Sequence, residues 1–106
     1  MTRRDPSRNQ FLFVHYFDPH DPYAPPEPFR SRYPSSPYLG EIAYMDQEAG
    51  RLFEAFEAKN AGADWRILVL GDHGEGLGDH DERQHGYFIY DATVHVPLMF
   101  KIPGSG

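Results

Sequence analysis

The sequence predicts an α/β fold, in which a βαβ unit belongs to a larger, mostly parallel sheet with helices packed on its faces. Two short segments, residues 11–17 and 66–70, are almost continuously apolar, as strands buried on both faces usually are. Between them, apolar residues recur at three- and four-residue spacing, which is typical of an amphipathic helix. A strand, a helix and a second strand in this order form a βαβ unit, whose crossover is normally right-handed.

The central helix has recognisable ends. Ser36 can cap it, and Pro37 suits the first helical position because its missing N–H would have no partner there. Asn60 and Gly62 are typical of a helix end. The apolar stripe that we expect to form the core consists of Leu39, Ile42, Met45, Ala49, Leu52, Phe53 and Phe56.

A last strand is expected within residues 93–102. Alternate residues there are apolar, as in a strand with one buried face. Pro97 cannot donate to a neighbouring strand, so this strand should lie at a sheet edge or contain a bulge.

Length and composition limit the function. The chain has 106 residues, which is enough for one small domain. The domain is expected to follow a polar segment at residues 1–10. A net charge of −6 and the lack of a basic patch argue against a nucleic-acid partner. There is no cysteine, which excludes disulfides, thiolate metal sites and a cysteine nucleophile. No apolar run approaches the roughly 20 residues of a membrane span, and no signal peptide is recognised, so the localisation stays open.

Two polar loops follow the two predicted strands. Residues 18–26 are rich in proline and should form a stiff, irregular loop, whereas residues 72–86 contain five acidic residues, three histidines and four glycines. In open α/β sheets, ligands bind beyond the carboxyl ends of the strands. Both loops should therefore meet at one edge of the sheet, and this edge is the candidate site.

The clearest chemistry in the second loop is the Asp72-His73 pair. A carboxylate oxygen beside an imidazole nitrogen suits a divalent cation. The flanking Gly71 and Gly74 let the backbone turn sharply and approach a ligand closely. The alternative is a turn whose polar side chains only face water.

Several other residues have a structural interpretation. His15 lies inside an apolar run and is expected in the core, and His95 alternates with two valines and is also expected to be structural. His80 could support a ligand or face solvent. A solvated acidic loop is the expected role of Glu75, Asp79, Asp81 and Glu82.

Four motifs, taken in order, resemble those of sulfatases, which belong to the alkaline phosphatase superfamily. They are Asp-Pro-His-x-Pro-Tyr at residues 18–23, Gly-Asp-His-Gly and its continuation at residues 71–80, His-Gly at residues 85–86, and Val-Pro-Leu at residues 96–98. The resemblance covers about residues 11–103. It identifies residues 11–106 as the C-terminal part of a sulfatase-like catalytic domain.

The resemblance implies a role for each matching residue. Asp72 and His73 would bind one divalent metal ion, with calcium expected first and zinc or manganese as alternatives. The alternatives arise because sulfatases often have asparagine after the aspartate, whereas histidine is more similar to the phosphonate and phosphoethanolamine branches. His20 would contact the sulfate or phosphate group or protonate the leaving oxygen, and His85 would face the transferred group.

The nucleophile expected from the resemblance is missing. These enzymes use a cysteine or serine two residues before a proline, with an arginine two residues further on. The nearest match, Ser35 to Leu39, has leucine in place of the arginine and follows His20. We therefore expect this chain to supply metal and anion ligands to a metal-dependent sulfuric ester hydrolase, without its nucleophile.

Other functions stay open at this point. One alternative is a phosphohydrolase or a phosphoethanolamine-type phosphotransferase on the same scaffold, and another is a non-catalytic remnant or binding module. The expected partners are a sulfate or phosphate ester and, through exposed edges, other copies of the chain. The complete enzyme could act outside the cytoplasm. In the folded protein, we expect His20, Asp72 and His85 to converge in one cleft, with His73 at its rim.

Overall fold

The computed structural model describes residues 8–103, so the polar segment predicted at residues 1–10 lies mostly outside the described residues. The elements, in chain order, are α1 (Phe29–Arg32), α2 (Pro37–Lys59), β1 (Ile67–Leu70), a 3₁₀ turn (Asp79–Asp81), α3 (Asp91–Val94) and β2 (Leu98–Lys101). The chain divides into two compact units. The first unit ends at Leu52, and the second begins at Phe53.

The predicted central helix is confirmed as α2. It begins at Pro37, and the Gly40 N–H donates to Ser36 O across 3.2 Å in its first turn. At the other end, the side-chain amide of Asn60 donates to Phe56 O across 2.8 Å. Gly62 follows with φ of +78°, a left-handed conformation that glycine adopts without steric cost. The sequence therefore placed both ends of the helix correctly.

The apolar stripe of α2 is less buried than expected. Its residues from Ile42 to Phe56 are half-buried, and Leu39 is 47% exposed. In the first unit, Phe29 of α1 is buried, and its ring centroid lies 5.7 Å from that of Tyr44. The core of the described residues is thus small.

The prediction of a strand over residues 11–17 is wrong. These residues form no strand, and Phe11 and Phe13 are 90% and 74% exposed. A strand satisfies its backbone N–H and C=O groups by pairing with a neighbour. In the described part of the chain, the only paired strands are β1 and β2, which pair with each other.

The strand predicted over residues 66–70 is confirmed as β1. It pairs antiparallel with β2, with Ile67 opposite Lys101 and Leu70 opposite Leu98. The last strand is shorter than expected, because residues 91–94 form α3 and the strand begins only after Pro97. The α/β character is present, and the larger parallel sheet remains a prediction. The predicted βαβ unit does not form within the described residues, because its first strand is absent and β1 pairs antiparallel with β2.

One face of this sheet is apolar and exposed. Its four side chains are 58–70% exposed, namely Leu68, Leu70, Leu98 and Phe100. On the opposite face, Lys101 Nζ lies 3.7 Å from Glu57 Oε1 of α2. No helix within residues 8–103 combines the length and apolar character that a membrane span requires.

Candidate functional site

The segment that follows β1 is held against α3 and β2. The Gly71 N–H donates to Pro97 O across 3.2 Å, and the Gly74 N–H donates to Thr93 O across 2.8 Å. A Cβ on Gly74 would overlap Ala92 O and would lie 3.2 Å from Thr93 Cα. The sequence indicated that Gly74 permits a close approach. In the structure, the partner in this approach is the backbone of α3.

Asp72 and His73 present their donor atoms side by side. Asp72 Oδ1 accepts a 3.0 Å hydrogen bond from the His73 N–H, and the Asp72 side chain is 77% exposed. His73 Nδ1 lies 2.9 Å from Gly74 O, so the Nδ1–H tautomer donates to this carbonyl. His73 Nε2 lies 3.9 Å from Asp72 Oδ1.

This donor pair fits one divalent cation. Coordination bonds are about 2.0–2.2 Å for zinc and about 2.3–2.6 Å for calcium, so two ligands of one ion lie no more than roughly 4–5 Å apart. The 3.9 Å between His73 Nε2 and Asp72 Oδ1 is below this limit. A metal-binding histidine also commonly donates its other N–H to a carbonyl, as His73 does to Gly74. Within residues 8–103, however, no group of three potential ligands converges, so this pair alone does not make a complete metal centre.

His85 lies against His73. The two ring centroids are 3.8 Å apart, and the rings are stacked with an interplanar angle of 27°. His85 Nδ1 lies 3.3 Å from Glu75 Oε1, and the Glu75 side chain is only 5% exposed. Glu75 therefore orients the His85 ring, and Nε2 lies at the opposite corner of that ring. The second unit thus brings together His73, Glu75 and His85, all from the loop over residues 72–86.

The expectation that the acidic residues of this loop are all solvated is wrong for two of them. Glu75 is buried at its side chain, and Glu82 is only 4% exposed. Glu82 Oε1 accepts hydrogen bonds from the Tyr87 N–H across 2.9 Å and from the Phe88 N–H across 3.4 Å. Burying a carboxylate is costly unless it is hydrogen-bonded, and these two amides offset part of that cost. Glu82 therefore holds the backbone just beyond His85.

The remaining histidines of the second unit lie at other positions. His80 Nδ1 is 3.1 Å from Asp79 Oδ2, and the His80 ring stacks on Tyr90 with centroids 3.7 Å apart. His95 follows α3 and is exposed, so it is not part of a strand as the alternation suggested.

In the first unit, His20 is fixed at its backbone and at its ring. Its N–H donates to Glu41 Oε2 across 3.0 Å, and its Nδ1 lies 2.7 Å from Asp21 O. The ring stacks on Phe17 with centroids 4.3 Å apart. His15 is exposed, which contradicts the core position expected for it, because the strand that would have buried it does not form. The convergence of His20 with Asp72 and His85 remains a prediction.

Sequence reasoning missed Glu41. This residue is 4% exposed and accepts hydrogen bonds from two amides of the loop over residues 18–26. In the sequence, Glu41 resembles the other polar residues of this amphipathic helix, which are expected to be solvated. No sequence signal therefore distinguished it.

The comparisons with known proteins agree on one family. The family model described as Sulfatase matches residues 1–106. Human iduronate 2-sulfatase is 36% identical over 84 residues, which cover 78% of this chain and 15% of that protein. The arylsulfatase of Clostridium perfringens (strain 13 / Type A) is 23% identical over 145 aligned positions, covering 99% of this chain and 30% of that protein.

A further relative has a broader name. The multifunctional alkaline phosphatase superfamily protein PehA of Trinickia caryophylli is 35% identical over 69 residues, which cover 64% of this chain and 13% of that protein. No solved structure matches the chain at a significant level. The chain therefore spans only a small part of the length of the curated relatives that it matches.

Proposed function

Since the chain belongs to the sulfatase family, we propose that it forms part of a metal-dependent catalytic domain that hydrolyses sulfate esters. The observation that carries the proposal is the cluster in the second unit, where the His85 ring stacks on His73 beside Asp72. These are the residues that the sequence motifs single out. Their proximity supports a common site for a cation and an anionic substrate.

Asp72 and His73 are the proposed metal ligands. Their donor atoms, 3.9 Å apart, can share one ion, whose further ligands would come from outside the described residues. When bound, a divalent cation would polarise the sulfate ester and stabilise the charge that develops on its oxygens. Calcium, with zinc or manganese as alternatives, is the proposed metal.

His85 is the proposed contact to the transferred group. Glu75 engages its Nδ1 across 3.3 Å, so Nε2 is the ring atom that we assign to the substrate. When the ring is protonated, Nε2–H can donate a hydrogen bond to an equatorial oxygen of the sulfate. The side chain is 27% exposed, which leaves its edge accessible to a small anion.

His20 is the second proposed catalytic residue. Its Nδ1 lies against Asp21 O, so we assign its Nε2 to the substrate as well. This nitrogen would contact the sulfate group or give a proton to the leaving oxygen. Both roles need a histidine whose ring is held in one orientation, and the stack on Phe17 supports this.

A phosphate ester is the second candidate substrate. Histidine rather than asparagine follows Asp72, and one relative carries the name of a multifunctional alkaline phosphatase superfamily protein. Sulfate and phosphate monoesters present similar tetrahedral oxygens, so the same residues could bind either. Binding measurements can separate the two substrates.

Inorganic sulfate is expected to bind beside His85 with millimolar or weaker affinity. Titrating the 106-residue chain with sulfate, and separately with phosphate, should shift the ring resonances of His85 and His73 in NMR spectra. His85→Ala should remove the shift at His73, whereas the control His95→Ala should leave both rings responsive. Equal shifts at all histidines, or an unchanged response in His85→Ala, would show that the anion does not recognise this site. A larger response to phosphate would favour the second candidate.

The 106-residue chain by itself is expected to turn over neither aryl sulfates nor aryl phosphates. It has no cysteine, and its nearest serine motif lacks the arginine. A discontinuous assay at high protein concentration, with each of calcium, zinc and manganese, should give rates equal to buffer. Turnover that survives repurification and disappears in Asp72→Ala would show that the chain contains a nucleophile of its own.

A further inference from the structure

The N-terminal part of α2 carries a buried carboxylate that contacts the histidine loop over residues 18–26. Glu41 is 4% exposed, and its two oxygens have different partners. Oε2 accepts from the His20 N–H across 3.0 Å, and Oε1 accepts from the Ala24 N–H across 2.6 Å. One side chain thus spans five residues of the loop, from His20 to Ala24.

The loop needs an external acceptor because of its composition. Four of its nine positions are proline and have no N–H, namely Pro19, Pro22, Pro25 and Pro26. Such a segment cannot build regular secondary structure, so its remaining amides must find partners elsewhere. The carboxylate of Glu41 satisfies two of these amides with charge-assisted hydrogen bonds, which are stronger than neutral ones.

The residue before Glu41 brings the helix and the loop close together. Gly40 is buried, and a Cβ at this position would lie 2.8 Å from Pro25 Cγ. Pro25 is itself buried. The absence of a side chain on Gly40 therefore lets Pro25 pack on α2, which places the Ala24 amide next to Glu41.

We propose that Glu41 is a positioning residue for His20: by binding the backbone of the loop on both sides of Pro22, it fixes the direction in which the imidazole leaves the chain. The ring is then held by the contact of Nδ1 with Asp21 O and by the stack on Phe17. A free loop would let the histidine sample many orientations, and a catalytic group loses much of its effect when misplaced by about 1 Å. The catalytic part of this inference rests on the function proposed for His20.

Replacing Glu41 tests the inference in the 106-residue chain. In Glu41→Ala, hydrogen exchange of the His20 and Ala24 amides should accelerate about tenfold or more, since both lose their acceptor. The nuclear Overhauser effects between the His20 and Phe17 rings should weaken. In Glu41→Gln, the single amide oxygen should restore protection at one of the two positions and part of the ring contact. The control Glu54→Ala, at an exposed position of the same helix, should change neither.

Two outcomes would overturn the inference. One is unchanged exchange at His20 and Ala24 in Glu41→Ala. The other is an equal loss of protection along the whole of α2 with no recovery in Glu41→Gln, which would make Glu41 a general stabiliser of the helix. These measurements report conformation and not turnover. They can therefore fail while the proposed function holds, and they can succeed if His20 proves not to be catalytic.

Discussion

Gly74→Ala is expected to destabilise the second unit by about 3 kcal/mol, since overpacking against backbone atoms is among the costlier substitutions. The added methyl group would overlap Ala92 O and press on Thr93 Cα. Both are backbone atoms, so neither can move as a flexible side chain does. In addition, the hydrogen bond from the Gly74 N–H to Thr93 O ties α3 to residue 74. To relieve the overlap, this hydrogen bond must break. The segment that carries Asp72 and His73 would then lose its contact with α3.

Gly50→Ala is the matched control for that substitution. Gly50 lies inside α2, and nothing lies within 4 Å of a Cβ at this position. Alanine costs less conformational entropy than glycine in a helix, so Gly50→Ala should stabilise the chain by about 0.5–1 kcal/mol. Thermal and urea unfolding followed by circular dichroism would measure both variants. If Gly74→Ala unfolds at the same midpoint as the unmodified chain, then Gly74 does not make the close approach described above.

The sequence predicted those elements whose signals are local. The bounds of α2 depend on proline, glycine and an apolar period within the helix, and β1 is a short apolar run that ends at a glycine. These features act within a few residues, so they can be recognised without knowledge of the fold.

The prediction failed where an element depends on a distant partner. Residues 11–17 have the composition of a buried strand but form none, because a strand also requires a neighbour in register. Residues 94–100 alternate in hydropathy, yet residues 91–94 form a helical turn, which a local hydrogen bond favours: the single O–H of Thr93 can donate to Phe88 O or to Tyr90 O, each 3.0 Å from Oγ1.

The candidate site residues were chosen by motif and not by environment. Asp72, His73 and His85 were identified from sequence motifs, and the stack of the two histidines is consistent with a common site. The buried carboxylates of Glu41, Glu75 and Glu82 gave no comparable signal. Each one binds a histidine ring or backbone amides that only the folded chain brings within reach. Because most glutamates are exposed, the sequence alone predicts a solvated side chain at each of these positions.

Asp72→Ala is expected to abolish specific binding of a divalent cation to this chain. The carboxylate supplies the only formal charge of the donor pair, and His73 alone is a neutral ligand that offers one nitrogen. Binding to the unmodified chain should be millimolar or weaker, since a two-donor site lacks the assembled cage on which affinity depends. Even so, the loss should be complete, because the remaining imidazole would bind no better than other exposed histidines.

The most direct measurement is paramagnetic line broadening by Mn²⁺ in NMR spectra of the 106-residue chain. At low Mn²⁺ concentrations, the signals of Asp72 and His73 should broaden first and those of the stacked His85 next, and a chelator should restore all of them. Asp72→Ala should eliminate this order, whereas Asp64→Ala, at an exposed acidic position in the same unit, should preserve it. If broadening is spread evenly over the acidic residues, or survives at residue 73 in Asp72→Ala, then this pair is not the metal site of a sulfatase.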